Sequence, residues 1–245
     1  MKLLGIDTAS SHASAAIVEN GRLISEKIHR PKGSIAAGAG GSRNDHAENL
    51  VPLIESALQG AALSLSDISG CAVAIGPGSF TGLRIGLSTA KGLCYGSGIR
   101  VAGVSTLHAI AARIRDFSGV ICPVLDARKK EVYAALFHAR AGFLERLSDD
   151  VAVSCDRLGE LLRQFGPSEP ILLAGDGATV YGEPLIASVG RQVHICQDET
   201  LPTTATAVAL LGEACLASGT VLAQVLVSPR YLRGAGAEVC SRKSA

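Results

Sequence analysis

The stretch Cys71–Gly98, CAVAIGPGSFTGLRIGLSTAKGLCYGSG, joins a short apolar strand to a helix through a glycine-rich turn. Residues 71–75 have the length and composition of a buried strand, and Gly76-Pro-Gly78 permits a tight turn with close backbone approach. Ser79 or Thr81 can cap the helix that follows. Because a helix N-terminus presents unpaired N–H groups, three interpretations compete: an anion-binding loop, a structural turn or an interface.

The turn fits neither of two common nucleotide-binding motifs. A dinucleotide fingerprint has the spacing G-x-G-x-x-G, whereas here Gly78 and Gly82 are one residue too far apart. A P-loop requires Lys directly after its last glycine, but Leu83 and Arg84 follow Gly82. The motif alone therefore favours a structural turn over a phosphate-binding loop.

The helix predicted from 81 to 95 is apolar on more than one side. Its main stripe consists of Leu83, Leu87, Ala90 and Cys94. Ile85 and Leu93 lie away from that stripe, and the small residue Gly86 helps to clear one face for close contact. Such a helix requires burial on more than one side. It is either a central core helix, or it packs on its own sheet and on a partner.

Composition limits the classes of function. With 23 Lys and Arg against 22 Asp and Glu, the net charge of +1 gives no global attraction to nucleic acid or membrane. Aromatic residues make up 4% and Trp is absent, which argues against a platform for stacking single-stranded bases. The seven cysteines lack C-x-x-C spacing, so we expect buried, reduced thiols. Without an apolar run typical of a signal peptide or membrane span, we expect a cytoplasmic protein.

Two similar series of elements follow one another along the chain. The first has strands over 3–6, 13–19 and 22–29, a helix over 46–59, a strand over 71–75, the helix over 81–95 and a strand over 100–104. The second has strands over 120–126, 131–140 and 144–153, a helix over 156–165, a strand over 171–174, a helix over 182–190 and a strand over 193–195. Each series begins with a strand that ends in an aspartate, Asp7 or Asp126. This order predicts an α/β fold of two duplicated βββαβαβ domains, with mixed sheets flanked by helices.

The domain boundaries follow from this order of elements. We expect an N-terminal domain over 1–104, completed by a long helix over 203–218 that is led by threonines. The C-terminal domain is expected over 105–202, and residues 219–245 form a tail. The segment 33–44 is rich in glycine and alanine, which is typical of a connecting loop.

Several short motifs carry a family resemblance. They are LGIDTA at 4–9, HAENL at 46–50, GPGSFTGLRIG at 76–86, DARKKEVY at 126–133 and PRYLR at 229–233. With the duplicated order of elements, they resemble the actin–Hsp70–sugar-kinase superfamily, whose domains are RNase H-like. Within it the chain is similar to the bacterial TsaB (YeaZ) family. The segment 33–44 and the residues beyond 233 lie outside this resemblance.

The resemblance implies a subunit without catalytic residues of its own. Such a subunit dimerises with a TsaD-like transferase in the synthesis of threonylcarbamoyladenosine on tRNA and helps to recruit a TsaE-like ATPase. It is expected to meet tRNA through the complex and to form a homodimer when alone. ATP is used by the complex, and no cofactor is assigned to this chain. The implied interface lies on helices 46–59 and 81–95 and comprises His46, Leu50, Leu53, Ile54, Ala57, Leu83, Gly86, Leu87, Ala90 and Cys94.

The resemblance also points to a missing metal site. The catalytic paralogue TsaD binds metal through two histidines four apart on one helix, a spacing that places both imidazoles on the same face. In the corresponding segment His108 stands alone, and none of the six histidines has a partner four residues away. We therefore expect no metal site, and a metalloprotease function has no chemical support.

An alternative class of function is an actin-like ATPase or small-molecule kinase that acts alone. Its candidate nucleotide site comprises Asp7, Thr8, Gly76, Gly78, Gly175 and Gly177, with Asp126 as the second acid. However, residues 8–14 contain no glycine, and Asp7 can instead cap the turn after its strand through the Thr8 and Ser10 N–H groups. We therefore expect this site to be vestigial.

Overall fold

The computed structural model of the protein describes residues 1–30, 45–197, 201–219 and 227–232, without the side chains of residues 45–47. The predicted loop over 33–44, the side chain of His46 and the tail beyond residue 232 lie outside the described residues. The strands are β1 (Lys2–Asp7), β2 (Ala13–Glu19), β3 (Arg22–His29), β4 (Gly70–Gly76), β5 (Arg100–Ser105), β6 (Gly119–Arg128), β7 (Glu131–Ala134), β8 (Phe137–Arg140), β9 (Phe143–Arg146), β10 (Val151–Ser154), β11 (Ile171–Ala174) and β12 (Val193–Ile195). The helices are α1 (Asp45–Gly60), α2 (Phe80–Cys94), α3 (Thr106–Ala112), α4 (Cys155–Leu162), α5 (Asp176–Val189) and α6 (Thr204–Ala217).

The first sheet has the strand order β3-β2-β1-β4-β5. Strands β1 to β3 form an antiparallel meander, and β4 and β5 run parallel to β1. Because successive side chains of a strand point to opposite faces, Leu4 and Ile6 of β1 join the core under α1 and α2, whereas Leu3 joins the core under α6. Helices therefore cover both faces of this sheet.

The second sheet has the order β10-β7-β6-β11-β12, and β8 and β9 extend from the first half of β6. Strands β6, β11 and β12 are parallel, and β7, β8 and β10 pair antiparallel to their neighbours. Helices α4 and α5 pack on one face, and α3 packs on the other around the buried Phe137. Since α3 also contacts α6, these two helices form the layer between the sheets. The predicted α/β fold with two helix-flanked mixed sheets is confirmed.

The strand predicted over 131–140 is divided in the structure. Residues on either side of the break keep one register on β6, with Ile121 opposite Phe137 and Val124 opposite Ala134. The break lies opposite Pro123, which has no N–H to donate to the ladder. The break therefore separates β7 from β8 without changing their register.

The strand predicted over 144–153 is also divided, into β9 and β10. Arg146 pairs with Phe137 and Val151 pairs with Ala134, so residues 147–150 lie opposite only 135–136. The extra residues form a bulge, and bulges redirect side chains. Here the bulge places Asp150, which is 7% exposed, inside the protein.

The helix predicted over 182–190 begins earlier, at Asp176, directly after Gly175. The pattern Gly175-Asp-Gly177 favours a turn. In the structure Gly175 is the N-cap, with a φ of 98°, and Asp176 and Gly177 already belong to the helix, which ends at Val189. Elsewhere, α4 ends at Leu162 and not at 165. Among the described residues, no helix is long and apolar enough to cross a membrane.

Candidate functional site

The first candidate acid, Asp7, ends β1 with a fully buried side chain. Its Oδ1 accepts a hydrogen bond from the Ala9 N–H at 2.8 Å, and its Oδ2 accepts one from the Ser10 hydroxyl at 2.7 Å. The Ala9 N–H and the Ser10 hydroxyl are therefore donors to this carboxylate, whereas the sequence suggests the Thr8 and Ser10 N–H groups. A carboxylate that accepts from the N–H two residues ahead stabilises a turn. Asp7 therefore stabilises the turn after β1.

The glycine-rich turn after β4 packs directly on this segment. The Ser79 N–H donates to the Ala9 carbonyl at 2.8 Å, and the Thr8 hydroxyl donates to the Gly82 carbonyl at 2.7 Å. A Cβ at Gly78 would lie 2.3 Å from the Ala9 oxygen, and one at Gly82 would lie 1.9 Å from the Thr8 oxygen. The Ser79 side chain caps α2 by accepting from the Gly82 N–H at 3.2 Å. These glycines therefore permit backbone-to-backbone packing, which supports the structural interpretation of the turn.

The second candidate acid, Asp126, lies on β6 beside Asp176 at the start of α5. The Asp126 N–H donates to Asp176 Oδ1 at 3.3 Å, and Asp126 Oδ1 accepts from the Tyr181 hydroxyl at 3.1 Å and the Arg128 N–H at 2.8 Å. Burial raises the pKa of Asp176 to about 6, and the negative charge of Asp126 acts in the same direction. Both carboxyl groups thus take part in contacts within the second half of the chain.

Gly175 and Gly177 hold the turn before α5 against β6. Gly175 has a φ of +98°, and a Cβ there would lie 2.7 Å from the Val124 carbonyl oxygen. At Gly177 a Cβ would lie 2.8 Å from a methyl group of Val124. Close packing explains both glycines, and their assignment to a nucleotide site stays a prediction.

A cleft of about 160 Å³ lies between the two halves of the chain. Residues that line it include Ser10, His12, Glu26, Arg113, Asp176 and Thr203. Two of its charged groups hold neighbouring backbone: Glu26 accepts from the Thr203 N–H at 2.9 Å, and Arg113 Nε donates to the Pro202 carbonyl at 2.6 Å. Sites for small-molecule ligands typically measure about 300–1,000 Å³. The cleft is thus smaller than the usual site for a ligand of nucleotide size.

No group of three or more His, Cys, Asp or Glu in the described ranges is arranged to hold a metal ion. His108, the residue that stands alone on α3, stacks its ring on Phe137 with centroids 5.3 Å apart. Burial lowers the pKa of His108, and the positive charge of Arg146 acts in the same direction. A neutral imidazole on an aromatic ring is a packing residue in this environment.

Most residues assigned to the partner interface build the protein's own core. Those with at most 6% exposure are Leu50, Ile54, Ala57, Leu83, Leu87, Ala90 and Cys94. Gly86 is buried as well, and a Cβ there would lie 2.4 Å from Thr8 Oγ1. Leu53 is partly buried against the same core. These side chains fix α1 and α2 on the first sheet and offer little surface to a partner, and their assignment to a partner interface stays a prediction.

Five further apolar residues on or just after the two helices keep some exposure, and we call this set the outer row: Val51, Leu53, Ile85, Leu93 and Tyr95. Val51 is 44% exposed and Tyr95, just after α2, is 86% exposed. Leu53, Ile85 and Leu93 are half-buried at the edge of the core. Ile85 and Leu93 lie away from the main stripe in the sequence, but that position alone does not show which side of the helix faces the sheet. Val51 lies next to the buried Leu50 in an apolar run, so the pattern does not set it apart.

The C-terminal segment 227–232 crosses the start of α2. Val227 is fully buried in the core of the first sheet, and the Arg230 N–H donates to the Ile75 carbonyl at 2.7 Å. A Cβ at Gly76 would lie 2.8 Å from the Arg230 carbonyl oxygen. Tyr231 contacts α2, with its ring centroid 5.0 Å from that of Phe80. The segment therefore covers one side of the glycine-rich turn.

Comparison with known proteins shows to which family the chain belongs. The family model described as TsaD, tRNA N6-adenosine threonylcarbamoyltransferase, matches residues 17–239. The tRNA threonylcarbamoyladenosine biosynthesis protein TsaB of Bacillus subtilis (strain 168) is 30% identical over 241 residues, covering 97% of this chain and 96% of the relative. The chain belongs to the TsaB family.

Solved structures agree with this fold. YeaZ from Pseudomonas aeruginosa superposes with a TM-score of 0.74 at 23% identity, covering 94% of this chain and 99% of the other. The ethanolamine utilization protein EutJ from Carboxydothermus hydrogenoformans has a TM-score of 0.53 at 13% identity, covering 86% and 90%. At such identities the likeness concerns the fold alone. The resemblance to the TsaB (YeaZ) family is confirmed.

Three of the motifs that resemble the TsaB family meet at one place. The segment 4–9 ends under the glycine-rich turn of 76–86, and residues 229–232 lie over its other side. Their meeting point is the first turn of α2. The interface and nucleotide assignments on these motifs stay predictions.

Proposed function

We propose that this chain is a non-catalytic scaffold subunit in the synthesis of threonylcarbamoyladenosine on tRNA. It pairs with a TsaD-like transferase through α1 and α2, and the pair helps to recruit a TsaE-like ATPase. It meets tRNA through the complex. When the transferase is absent, the same surface forms a homodimer.

The observation that carries this proposal is the outer row on α1 and α2. Val51 and Tyr95 expose 44% and 86% of their surface on helices whose other face is fully packed. Large apolar side chains that stay exposed on packed helices are candidate contact points for a partner. Two matching helices of a partner would bury this row and complete a four-helix contact.

The buried residues of α1 and α2 make this surface rigid before binding. Leu50, Leu87 and Ala90 are at most 6% exposed and hold the helices on the first sheet. A preformed surface loses less conformational entropy on binding than a mobile one. A partner bound there is shifted towards the conformation that fits the surface, and this shift is how a scaffold activates an enzyme.

The polar groups inherited from the superfamily support the absence of catalysis in this subunit. Asp7 is buried and stabilises its own turn, and Asp126 contacts Tyr181 and Arg128. The cleft of about 160 Å³ is small for a nucleotide. An ATPase or kinase acting alone is therefore the weaker alternative.

The test is size-exclusion chromatography with light scattering on this chain mixed with the TsaD-like transferase of the same source. The test variant is Val51→Glu. The matched control is Val180→Glu, because Val180 is 42% exposed on α5, which packs on the second sheet. Circular dichroism and thermal melting establish that both variants are folded.

We expect a heterodimer from the unaltered chain and from Val180→Glu, and two separate species from Val51→Glu. A complex that persists in Val51→Glu would place the contact elsewhere. If the unaltered chain forms no complex at micromolar concentration, the scaffold proposal is wrong. Nucleotide titration of the isolated chain would then test the ATPase alternative.

A further inference from the structure

Arg84 on α2 is held in place by two aromatic residues. Its guanidinium carbon lies 3.9 Å from the centroid of the Phe80 ring, and its Nε donates to the Tyr231 hydroxyl at 3.2 Å. Phe80 and Tyr231 in turn contact each other, with centroids 5.0 Å apart and planes inclined by 34°. A guanidinium fixed at one face and at Nε has little rotational freedom left. We call the cluster of these three residues the arginine clamp: Phe80, Arg84 and Tyr231.

The arginine clamp lies at the surface. Phe80 is 38% exposed, Tyr231 is 41% exposed, and Arg84 is exposed as well. The cation–π contact and the Tyr231 hydroxyl leave the two terminal amino groups of Arg84 as donors. Guanidinium groups present these donors as a planar fork that matches a carboxylate.

Within the described ranges, no Asp or Glu forms an ion pair with Arg84. Asp150, the acid that Arg230 approaches at 4.0 Å, is bound by Arg146 at 2.8 Å. In the described part of the chain, the terminal amino groups of Arg84 are therefore open to a carboxylate from another molecule.

We propose that the arginine clamp is the docking point for a carboxylate of the protein partner that covers α2. This inference rests on the proposed scaffold function and names the polar contact within it. Arg84 is exposed on the same helix as Ile85 and Leu93, so a protein that covers the exposed side of α2 also meets the charged fork. A protein that buries the outer row can place an Asp or Glu side chain in the fork.

A carboxylate explains the arrangement better than an RNA phosphate does. A single fork held against the apolar ring of Phe80 fits a mixed protein interface, in which a polar rim surrounds an apolar centre. Phosphate backbones are instead recognised by several Lys and Arg side chains along a track. The chain as a whole, with a net charge of +1, offers no such field.

The experiment measures the Kd for the TsaD-like transferase by isothermal titration at low and high salt. The variants are Arg84→Gln, which removes the fork, Arg84→Lys, which keeps only the charge, and Tyr231→Phe, which removes the acceptor for Nε. Arg157→Gln is the control, because Arg157 is an exposed arginine on α4 that pairs only with the exposed Glu160 in the described contacts.

We expect Arg84→Gln to raise the Kd about tenfold or more, since charge-assisted bidentate hydrogen bonds are the strong ones. Arg84→Lys is expected to recover only part of this loss, and Tyr231→Phe to raise the Kd about threefold. The Kd of the unaltered chain is expected to rise with salt more steeply than that of Arg84→Gln. Arg157→Gln is expected to bind like the unaltered chain.

Each contrary result is distinguishable. An unchanged Kd in a folded Arg84→Gln would overturn the clamp and leave the scaffold function standing. Absence of any complex with the unaltered chain would overturn both. If Arg84→Gln instead weakened tRNA binding to the complex while the Kd for the transferase stayed the same, the occupant would be a phosphate and the carboxylate assignment would be wrong.

Discussion

The hydroxyl of Thr8 donates a hydrogen bond to the backbone carbonyl of Gly82 at 2.7 Å, which joins the segment after β1 to the first turn of α2. Thr8 is 2% exposed. In the other direction, the missing side chain of Gly82 lets the helix approach the Thr8 backbone. Thr8 and the glycine-rich turn, both named as candidate nucleotide-site segments, are therefore in direct contact with each other.

Gly82→Ala is expected to lower the free energy of unfolding by about 3 kcal/mol. The new Cβ would lie 1.9 Å from the Thr8 carbonyl oxygen, so either α2 or the segment after β1 has to move. Because the obstacle is backbone, the strain cannot be relieved by a side-chain rotation. Urea denaturation followed by circular dichroism measures the change.

The control for this substitution is Gly92→Ala in the same helix. A Cβ at Gly92 meets nothing within 4 Å. Since Ala favours a helix over Gly by about 0.5–1 kcal/mol, this variant is expected to be slightly more stable than the unaltered chain. Equal effects of the two substitutions would contradict the close contact at Thr8.

Leu87→Ala is expected to lower the free energy of unfolding by about 2–5 kcal/mol, because it leaves a cavity in a packed core. Leu87 is 6% exposed in the core under α1 and α2. Val51→Ala, at a position that is 44% exposed, is expected to change stability by no more than about 0.5 kcal/mol. The two variants separate the core side of the helices from the outer row, and a small effect at Leu87 would refute this division.

The sequence allowed the elements of the first sheet to be predicted well. Apolar strands ending at Asp7 and near Gly76, and the Ser79 cap before α2, are local signals that depend on residues close in the chain. What these signals could not reveal is which side of α2 faces the sheet. Leu87 and Ile85 are both apolar, and only the packing of α2 on β4 distinguishes the buried residue from the half-buried one.

Contacts between distant segments could not be predicted from the sequence either. The bulge that buries Asp150 depends on the register of two strands on their neighbours, and the arginine clamp depends on where Tyr231 returns to α2. The match of PRYLR to the family indicated that the C-terminal segment matters. It did not indicate that Tyr231 accepts from Arg84, because no local pattern relates residues 147 positions apart.

Asp150→Ala is expected to lower the free energy of unfolding by about 2–3 kcal/mol. The side chain of Asp150 is 1% exposed. Its Oδ2 accepts a hydrogen bond from the Ser105 hydroxyl at 2.9 Å, and its Oδ1 forms an ion pair with Arg146 at 2.8 Å. The substitution leaves Arg146 without this partner and breaks a link between the two sheets. Thermal melting monitored by circular dichroism reports the loss.

Glu160→Ala is the matched control for the loss of an arginine-bound carboxylate. Its partner is Arg157. The side chain of Arg157 is 57% exposed and that of Glu160 is 52% exposed. Exposed ion pairs contribute little, so the expected change is below about 1 kcal/mol. If both substitutions had the same small effect, the buried link at Asp150 would not stabilise the fold.

Asp176→Asn is expected to stabilise the protein, and more so as the pH rises from 5 to 8. Burial raises the pKa of Asp176 from the ordinary 3.8 to about 6, so its ionised form is disfavoured in the folded state. The contribution of the protonated Asp176 carboxyl to the free energy of unfolding is fully present below pH 3.8 and is lost as the pH rises through about 6. The asparagine stays neutral at every pH and keeps an oxygen that can accept from the Asp126 N–H.

Above pH 6 the gain in stability of Asp176→Asn approaches about 3 kcal/mol, of which roughly half is already present at pH 5. Thermal melting of both proteins across this range, with the exposed Asp116→Asn as the control for losing one negative charge, measures the gain. A gain that did not change with pH, or one shared by Asp116→Asn, would show that Asp176 ionises in the fold as easily as in water.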